Sequence, residues 1–145
     1  MIQPKAPLGS PDDIEQQFYE AMQQGDIDKL MSVWADEDEI VCVHPGGPRL
    51  VGPHAIRASF ETMFANGNID AQPDKVRRLL LPGTAVHHVI ERVNVLTHEG
   101  PQQAWVIATN VYMKAAQGWR LVLHHASPGL ASEMIEISEF PSTLH

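Results

Sequence analysis

The spacing of apolar residues in the first half of the chain predicts three amphipathic helices. Ser10 and Pro11 mark the start of the first one, because serine caps a helix and proline is accepted in its first turn. Apolar side chains then recur at steps of three and four over residues 12–24, as they do on one face of a helix. Similar stripes follow Asp26 and Gly52, which predict a two-helix hairpin and then a third helix.

The second half of the chain has the pattern of β-strands. Segments 72–81, 84–97, 102–114 and 118–126 are rich in β-branched and aromatic residues, and turns containing glycine or proline separate them. A shorter strand is predicted at 39–44, and the short links between the later strands predict antiparallel pairing. We therefore expect an α+β fold, in which a curved antiparallel sheet wraps around three N-terminal helices to form a cone with an internal pocket.

The composition fits one globular domain, since 43% of the 145 residues are apolar and 19% are charged. We expect the folded domain over residues 12–128, an N-terminal arm over 1–11 and a C-terminal tail over 129–145. The chain contains no run of the roughly 18 apolar residues that a membrane-spanning helix needs, and residues 1–5 do not resemble a secretory signal. These features predict a cytoplasmic protein that does not bind membranes.

Charge and histidine spacing argue against two kinds of partner. Ten Lys and Arg against 18 Asp and Glu give a net charge of −8, which opposes binding to nucleic acid. His87 and His88 are adjacent on a predicted strand, as are His124 and His125, so the two rings of each pair point to opposite faces. Such pairs cannot chelate one ion, and we predict neither a metal nor a cofactor.

The alternation of side chains along the last strand predicts that one of its two histidines faces the inside of the cone. His125 shares its face with Trp119, Leu121 and Leu123, and this more apolar face is expected to meet the helices. His125 is then a pocket residue with Glu91 or Asn110 as its partner, or else a hydrogen-bonded core histidine, and the adjacent His124 points outward toward a second copy.

Three further polar residues are candidates for the pocket. Glu91 lies in a β-branched strand, where a carboxylate is either exposed to solvent, held in an ion pair, for example with Arg92 or Arg120, or buried for proton transfer, and we favour the first two. Asn110 is a poor strand former whose amide needs a partner. His44 ends the first strand, where it can line the mouth of a cavity.

Large aromatic residues are the candidates for the pocket wall, and the same types of residue also build cores. We expect Trp34, Phe60 and Leu121 to be buried together. The predicted wall residues are Trp34, Phe60, Phe64 and Tyr112.

Two runs of sequence resemble the nuclear transport factor 2-like superfamily, and within it the SnoaL-like proteins and the association domain of calcium/calmodulin-dependent protein kinase II. They are Val43-His-Pro-Gly-Gly47, followed by Leu50-Val-Gly52, and Ala108-Thr-Asn-Val-Tyr112, followed by Gly118-Trp-Arg-Leu-Val-Leu-His-His-Ala-Ser-Pro128. The resemblance spans about residues 12–128. It implies the cone-shaped fold, a pocket between sheet and helices, and a dimer made through the outer face of the sheet.

The same resemblance matches His44, Glu91 and His125 to positions of the family pattern. Asn110 stands where the kinase association domain has an arginine, and this difference argues against a carboxylate ligand. Because the superfamily includes several enzymes and also proteins without chemistry, its fold does not settle the function.

Three functions remain open from the sequence. The first is a homodimer that binds a small molecule without catalysis. The second is an isomerase, dehydratase or hydrolase in which Glu91 or His125 moves a proton and Asn110 or Tyr112 stabilises an oxyanion. The third is a module that only oligomerises.

Overall fold

A computed structural model describes residues 9–130 and 136–139 of the chain. The predicted arm over 1–11 and the predicted tail over 129–145 therefore lie largely outside the described residues. Within the described part, the helices are too short and too polar to cross a membrane.

The three predicted helices are present, and their ends follow from local sequence. The side chain of Ser10 accepts a hydrogen bond from the backbone of Asp13 at 3.1 Å, and Gly25 ends the first helix in the left-handed conformation with φ of 65°. Asp26 caps the second helix in the same way, through the backbone N–H of Lys29 at 3.0 Å. The helices are α1 (Pro11–Gln24), α2 (Ile27–Ser32) and α3 (Pro53–Ala65).

One curved sheet of six strands covers the helices, in the spatial order β2-β1-β6-β5-β4-β3. Hairpins join β3 to β4, β4 to β5 and β5 to β6, all antiparallel. The strands are β1 (Val41–Val43), β2 (Arg49–Val51), β3 (Asp70–Leu81), β4 (Thr84–Thr97), β5 (Gly100–Ala115) and β6 (Gly118–Gly129).

The predicted α+β cone is thus confirmed, and the sheet differs from the prediction in two details. The short strand β2 was not predicted, and β1 pairs with β6 in parallel, so the sheet is mixed. The parallel pairing has a topological cause: β1 comes early in the chain and meets β6 across the helical half of the molecule rather than through a hairpin.

A β-bulge in β6 changes which side chains face the helices. Val111 of β5 pairs with Leu123, but the next residue, Tyr112, pairs with Leu121, so Val122 has no opposite residue. The bulge lies where the edge of β6 that faces away from β5 changes from one pairing segment to another. Leu121 bonds there to the segment 33–35, whereas Leu123 pairs with β1. One extra residue reverses the alternation for the rest of the strand.

The core lies between the helices and the concave face of the sheet. Phe18 of α1 is completely buried and makes edge-on ring contacts with Trp34 at 6.5 Å and Phe60 at 6.3 Å between centroids. Leu121 belongs to the same cluster. The expectation that Trp34, Phe60 and Leu121 are buried together is therefore confirmed.

Candidate functional site

Polar side chains form one row across the concave face of the sheet. His87 of β4, Asn110 of β5 and His124 of β6 are direct neighbours in the strand register, and all three are buried. Glu91 lies two inward-facing positions beyond His87 on β4 and is also buried. Buried polar groups need hydrogen-bond partners, so the contacts of this row define the candidate site.

Four side chains form a continuous sequence of hydrogen bonds, which we call the donor chain: Tyr19, Glu91, Asn110 and His124. The His124 Nδ1–H donates to the Asn110 side-chain oxygen at 2.5 Å. The Asn110 amide donates to the Tyr19 hydroxyl at 3.3 Å, and this hydroxyl donates to Glu91 Oε2 at 2.6 Å. All three bonds point toward the carboxyl group, and His124 keeps a lone pair on Nε2 as an acceptor.

Tyr19 reaches its partners because the sheet beneath it is lined by small residues. Glu91 and Asn110 lie on opposite sides of a register row that contains Ala108 and Ala126. The methyl side chains of these alanines leave space for a hydroxyl group that bridges the two polar residues. The Tyr19 ring packs edge-on with the Phe18 ring at 5.3 Å between centroids, and this contact anchors Tyr19 to the core.

Burial has opposite effects on the two ionisable ends of the donor chain. It raises the pKa of Glu91 to about 7, although the hydrogen bond from Tyr19 opposes the increase. It lowers the pKa of His124 to about 3, and the neighbouring His44 and His125 add to this effect. Burial also raises the pKa of Tyr19. Glu91 is therefore the member of the donor chain that gains or loses a proton near neutral pH.

Aromatic rings surround the histidine end of the donor chain. The rings of Phe18 and His124 lie 5.0 Å apart, and those of His44 and Phe60 lie 4.8 Å apart. His44 is half-buried, burial lowers its pKa, and its Nε2 lies 4.0 Å from the Cys42 sulfur. This end of the site is apolar except for the two imidazoles.

The structure connects two of the four predicted pocket residues through one intervening side chain. Glu91 and Asn110 meet through Tyr19, and His44 lies at the aromatic end of the same interior. His125 is exposed on the outer face, so the prediction that it points inward is wrong, as is the outward orientation predicted for His124. The cause is the bulge at Val122, which shifts the alternation by one residue.

The predicted wall residues divide between core and site. Trp34 and Phe60 are buried in the core, and Phe64 is half-buried with its ring 5.9 Å from that of Phe60. Tyr112 is completely buried and packs edge-on against His87 at 4.9 Å. Whether any of them contacts a ligand stays a prediction.

A second polar cluster lies beside the donor chain. Glu15 of α1 accepts a hydrogen bond from His87 Nδ1 at 2.7 Å, and Asp12 lies 3.9 Å from the other ring nitrogen, Nε2. Both acids line a cleft of about 340 Å³ between α1 and β3, the α1–β3 cleft, which Tyr19 and Arg78 also line. Asp12, Glu15 and His87 have donor atoms close enough together to hold a metal ion.

The family to which the chain belongs is now decided by comparison with known proteins. A family model described as the SnoaL-like domain matches residues 12–131. The chain belongs to the SnoaL-like family. It matches none of the curated proteins with which it was compared.

Solved structures agree with this assignment. A proposed calcium/calmodulin-dependent protein kinase type II association domain from Thiobacillus denitrificans is 34% identical, with 88% of this chain and all of the other chain covered and a TM-score of 0.78. A proposed dehydratase of the NTF2-like family from Streptomyces avermitilis is also 34% identical, over 81% of this chain and 92% of the other, with a TM-score of 0.72. The predicted superfamily is confirmed.

Sequence reasoning missed four residues of the interior: Glu15, Tyr19, His87 and His124. Glu15 and Tyr19 are one helical turn apart and flank the apolar stripe of α1. A glutamate and a tyrosine at that spacing beside a stripe could have indicated an inward polar pair. No such signal exists for His124, because the bulge depends on pairing between distant segments.

The donor chain predicts two opposing contributions to the pH dependence of stability. Glu91 has a folded pKa of about 7 against an ordinary 4.5, so the folded state holds a proton that the unfolded state loses, and its contribution falls as pH rises from about 4.5 to 7. His124 has a folded pKa of about 3 against 6.5, so its contribution falls as pH drops below 6.5. The two trends partly cancel in the wild type.

We expect single substitutions to reveal each trend in urea unfolding measured from pH 4.5 to 7.5. Relative to wild type, Glu91→Gln should gain stability with rising pH, by on the order of 3 kcal/mol over the window, since one pKa unit corresponds to about 1.4 kcal/mol. His124→Gln should gain stability with falling pH. The matched control His125→Gln removes an exposed imidazole from the adjacent position. A His124→Gln difference curve no steeper than the control's would contradict the burial of His124.

Proposed function

We propose that this protein binds a small molecule beside the donor chain and does so as a homodimer. The observation that carries the proposal is the buried donor chain itself. A core needs no polar side chains: burying them costs free energy unless their hydrogen bonds are satisfied, and apolar groups of the same shape can be equally stable. Tyr19, Glu91, Asn110 and His124 are all buried between helices and sheet, which supports a role in recognition.

The charges of the site favour a neutral ligand. Glu91 is the ionisable acid of the donor chain, and no lysine or arginine in the described residues bonds to any of its members. A carboxylate ligand would meet like charge without a cation to neutralise it. The acceptor on His124 Nε2 instead suits a ligand that carries a hydroxyl or amide N–H group.

We expect small hydroxyketones to raise the melting temperature, and hydroxy acids of the same size to raise it less or not at all. Binding stabilises the folded state by mass action, by about 2.7 kcal/mol at a hundred times the dissociation constant. The measurement is a thermal-shift screen followed by calorimetric titration of each hit, with Tyr19→Phe and Asn110→Ala as site variants.

The matched control for Asn110→Ala is Thr109→Ala, which lies next to it on β5 and faces outward. If Asn110→Ala and Thr109→Ala weakened binding equally, the ligand would lie elsewhere. The same conclusion would follow if neither Tyr19→Phe nor Asn110→Ala changed the affinity. A protein that dimerises but binds no compound of the panel would favour the third function, an oligomerising module.

The outer face of the sheet supports the homodimer. Leu79, Val86, Val111 and Leu123 form one register row across four strands, and Leu79 is 56% exposed. An apolar row of this kind on an outer face is typical of an interface. The kinase association domain and hub structures are the relatives whose names imply assembly; the hub of S. rosetta, at 20% identity and a TM-score of 0.67, shows the shared fold alone.

We expect Leu79→Glu to convert a dimer into a monomer, because two copies of a charge would be buried in an apolar contact. Sedimentation velocity at micromolar concentration measures the change. Leu96→Glu is the matched control, since Leu96 is 85% exposed at the far end of the β4–β5 hairpin. A monomeric wild type, or equal effects of the two substitutions, would contradict the proposed interface.

Proton-transfer chemistry is the second candidate function, and the pKa of Glu91 favours it. A carboxyl with a pKa of about 7 is suited to take and return a proton at neutral pH. The Tyr19 hydroxyl holds it in one orientation at 2.6 Å. The relative from Streptomyces avermitilis, described as a proposed dehydratase, supports the same class of reaction.

We expect wild-type protein in D₂O to exchange the C–H hydrogens next to the carbonyl of a hydroxyketone that it binds. Proton NMR follows the loss of the C–H signal. Glu91→Gln should slow the exchange by about 10²- to 10⁴-fold, the usual contribution of a general base. Glu61→Gln, which changes an exposed acid on α3, is the control. Exchange at the wild-type rate in Glu91→Gln would exclude Glu91 as the base.

A further inference from the structure

A histidine and two carboxylates meet where α1 crosses β4. The donor atoms of Asp12, Glu15 and His87 all lie within 4.8 Å of one another. Glu15 and His87 are buried, with 5% and 2% of their surface exposed, whereas the Asp12 side chain is 62% exposed. His87 is more than seventy positions from Asp12 and Glu15 in the sequence, so no spacing motif predicts the cluster.

The imidazole of His87 is held in the orientation that a metal ligand needs. Its Nδ1–H donates to Glu15 Oε2 at 2.7 Å, which leaves the lone pair on Nε2. In metal sites a carboxylate on the far nitrogen fixes the tautomer and the ring in this way. Here Nε2 faces Asp12 Oδ1 at 3.9 Å, too far for a hydrogen bond. An ion bonded to both atoms at about 2.0–2.2 Å fits this gap.

Tyr112 is a second observation at the same place. Its side chain is completely buried, and its hydroxyl has no hydrogen-bond partner among the described residues. Its ring packs edge-on against His87 at 4.9 Å. After burial, the charge of Glu15 is the largest cause that raises the Tyr112 pKa, and weaker interactions with the side chains of Asn110 and Glu15 place the hydroxyl near both, although neither meets the geometry of a hydrogen bond. A water molecule bound to an ion at this place would give the buried hydroxyl the hydrogen-bond partner that it lacks.

The open side of the cluster is the α1–β3 cleft. Asp12 and Glu15 line it, so water can complete the coordination of an ion there. Arg78 lies at the same side, with its Nε 2.8 Å from Asp12 Oδ1. This guanidinium competes with a metal ion for the Asp12 carboxylate.

We propose that His87 Nε2 and Asp12 bind a divalent ion of the zinc class, with Glu15 orienting the imidazole and water filling the remaining positions. An imidazole with one carboxylate ligand favours Zn²⁺ over Mg²⁺, which prefers oxygen ligands and keeps its own water. None of the proposed ligands belongs to the donor chain, so the metal site does not rest on the proposed binding of a small molecule, although the charge of Glu15 raises the pKa of Glu91.

The test is calorimetric titration of the full chain with Zn²⁺ after treatment with a chelator. We expect one ion per chain, at least tenfold weaker binding in Asp12→Asn, and a loss of about 10- to 100-fold in Glu15→Gln. The matched control Asp13→Asn removes the same charge from the next residue of α1 and should retain the wild-type affinity. Mg²⁺ should bind at least tenfold more weakly than Zn²⁺.

The substitution Arg78→Gln is expected to change the affinity for Zn²⁺ in the opposite direction. It removes the competing cation, so Zn²⁺ should bind several-fold more tightly. The spectrum of bound Co²⁺ reports ligation separately and should change in Asp12→Asn but not in Asp13→Asn.

Three outcomes would overturn the proposal: no binding by the wild type, equal losses in Asp12→Asn and Asp13→Asn, or full binding in both Asp12→Asn and Glu15→Gln. Equal losses would indicate attraction by surface charge alone. Asp12 is mostly exposed, so its variant tests the site even if a substitution of buried His87 prevents folding.

Discussion

The interior of this protein depends on the hydrogen bond from the Tyr19 hydroxyl to the Glu91 carboxyl. A carboxyl group inside an apolar core is costly unless it is bonded, and this bond at 2.6 Å is the one that the side chain receives. Because Tyr19 lies on α1 and Glu91 on β4, the bond also fixes where the helix lies along the sheet. Asn110 then donates to a hydroxyl of fixed position, and His124 donates to a fixed amide oxygen. Each member of the donor chain is oriented by the one nearer to Glu91.

The proton affinity of Glu91 results mainly from two opposing effects, and the charge of Glu15 adds a smaller increase to its pKa. Burial disfavours the charged form, whereas the hydrogen bond from Tyr19 favours it. Bonds that all point toward one acceptor polarise each other, so ionisation of Glu91 strengthens the bonds behind it. Without the bond from Tyr19 the pKa of the carboxyl would be higher, and without burial it would be lower. The pKa of about 7 needs both, which links the chemistry of the site to the packing of α1.

The correct predictions from the sequence concern features that are set by residues close together in the chain. The caps of α1 and α2 are local properties, and the structure confirms them. Glu91 and Asn110 are pocket candidates by residue type, but the sequence does not determine which face of the sheet carries them, and the structure places both on the buried face. The error at His125 has a non-local origin. Val122 is left unpaired because β6 bonds to two different segments, 33–35 and β1, along one edge. No pattern within the strand reveals that change, so alternation alone selected the wrong histidine.

Helix α1 connects the two polar clusters of the interior. Glu15 and Tyr19 are one turn apart, and they reach His87 and Glu91, which lie two inward-facing positions apart on β4. Four residues rise about 6 Å along a helix but span about 13 Å along a strand, so the long side chains of Glu15 and Tyr19 must diverge to reach both partners from one position of α1. A slip of α1 by one residue would break both. The polar pair on α1 therefore specifies one position of the helix among the many that apolar packing would accept.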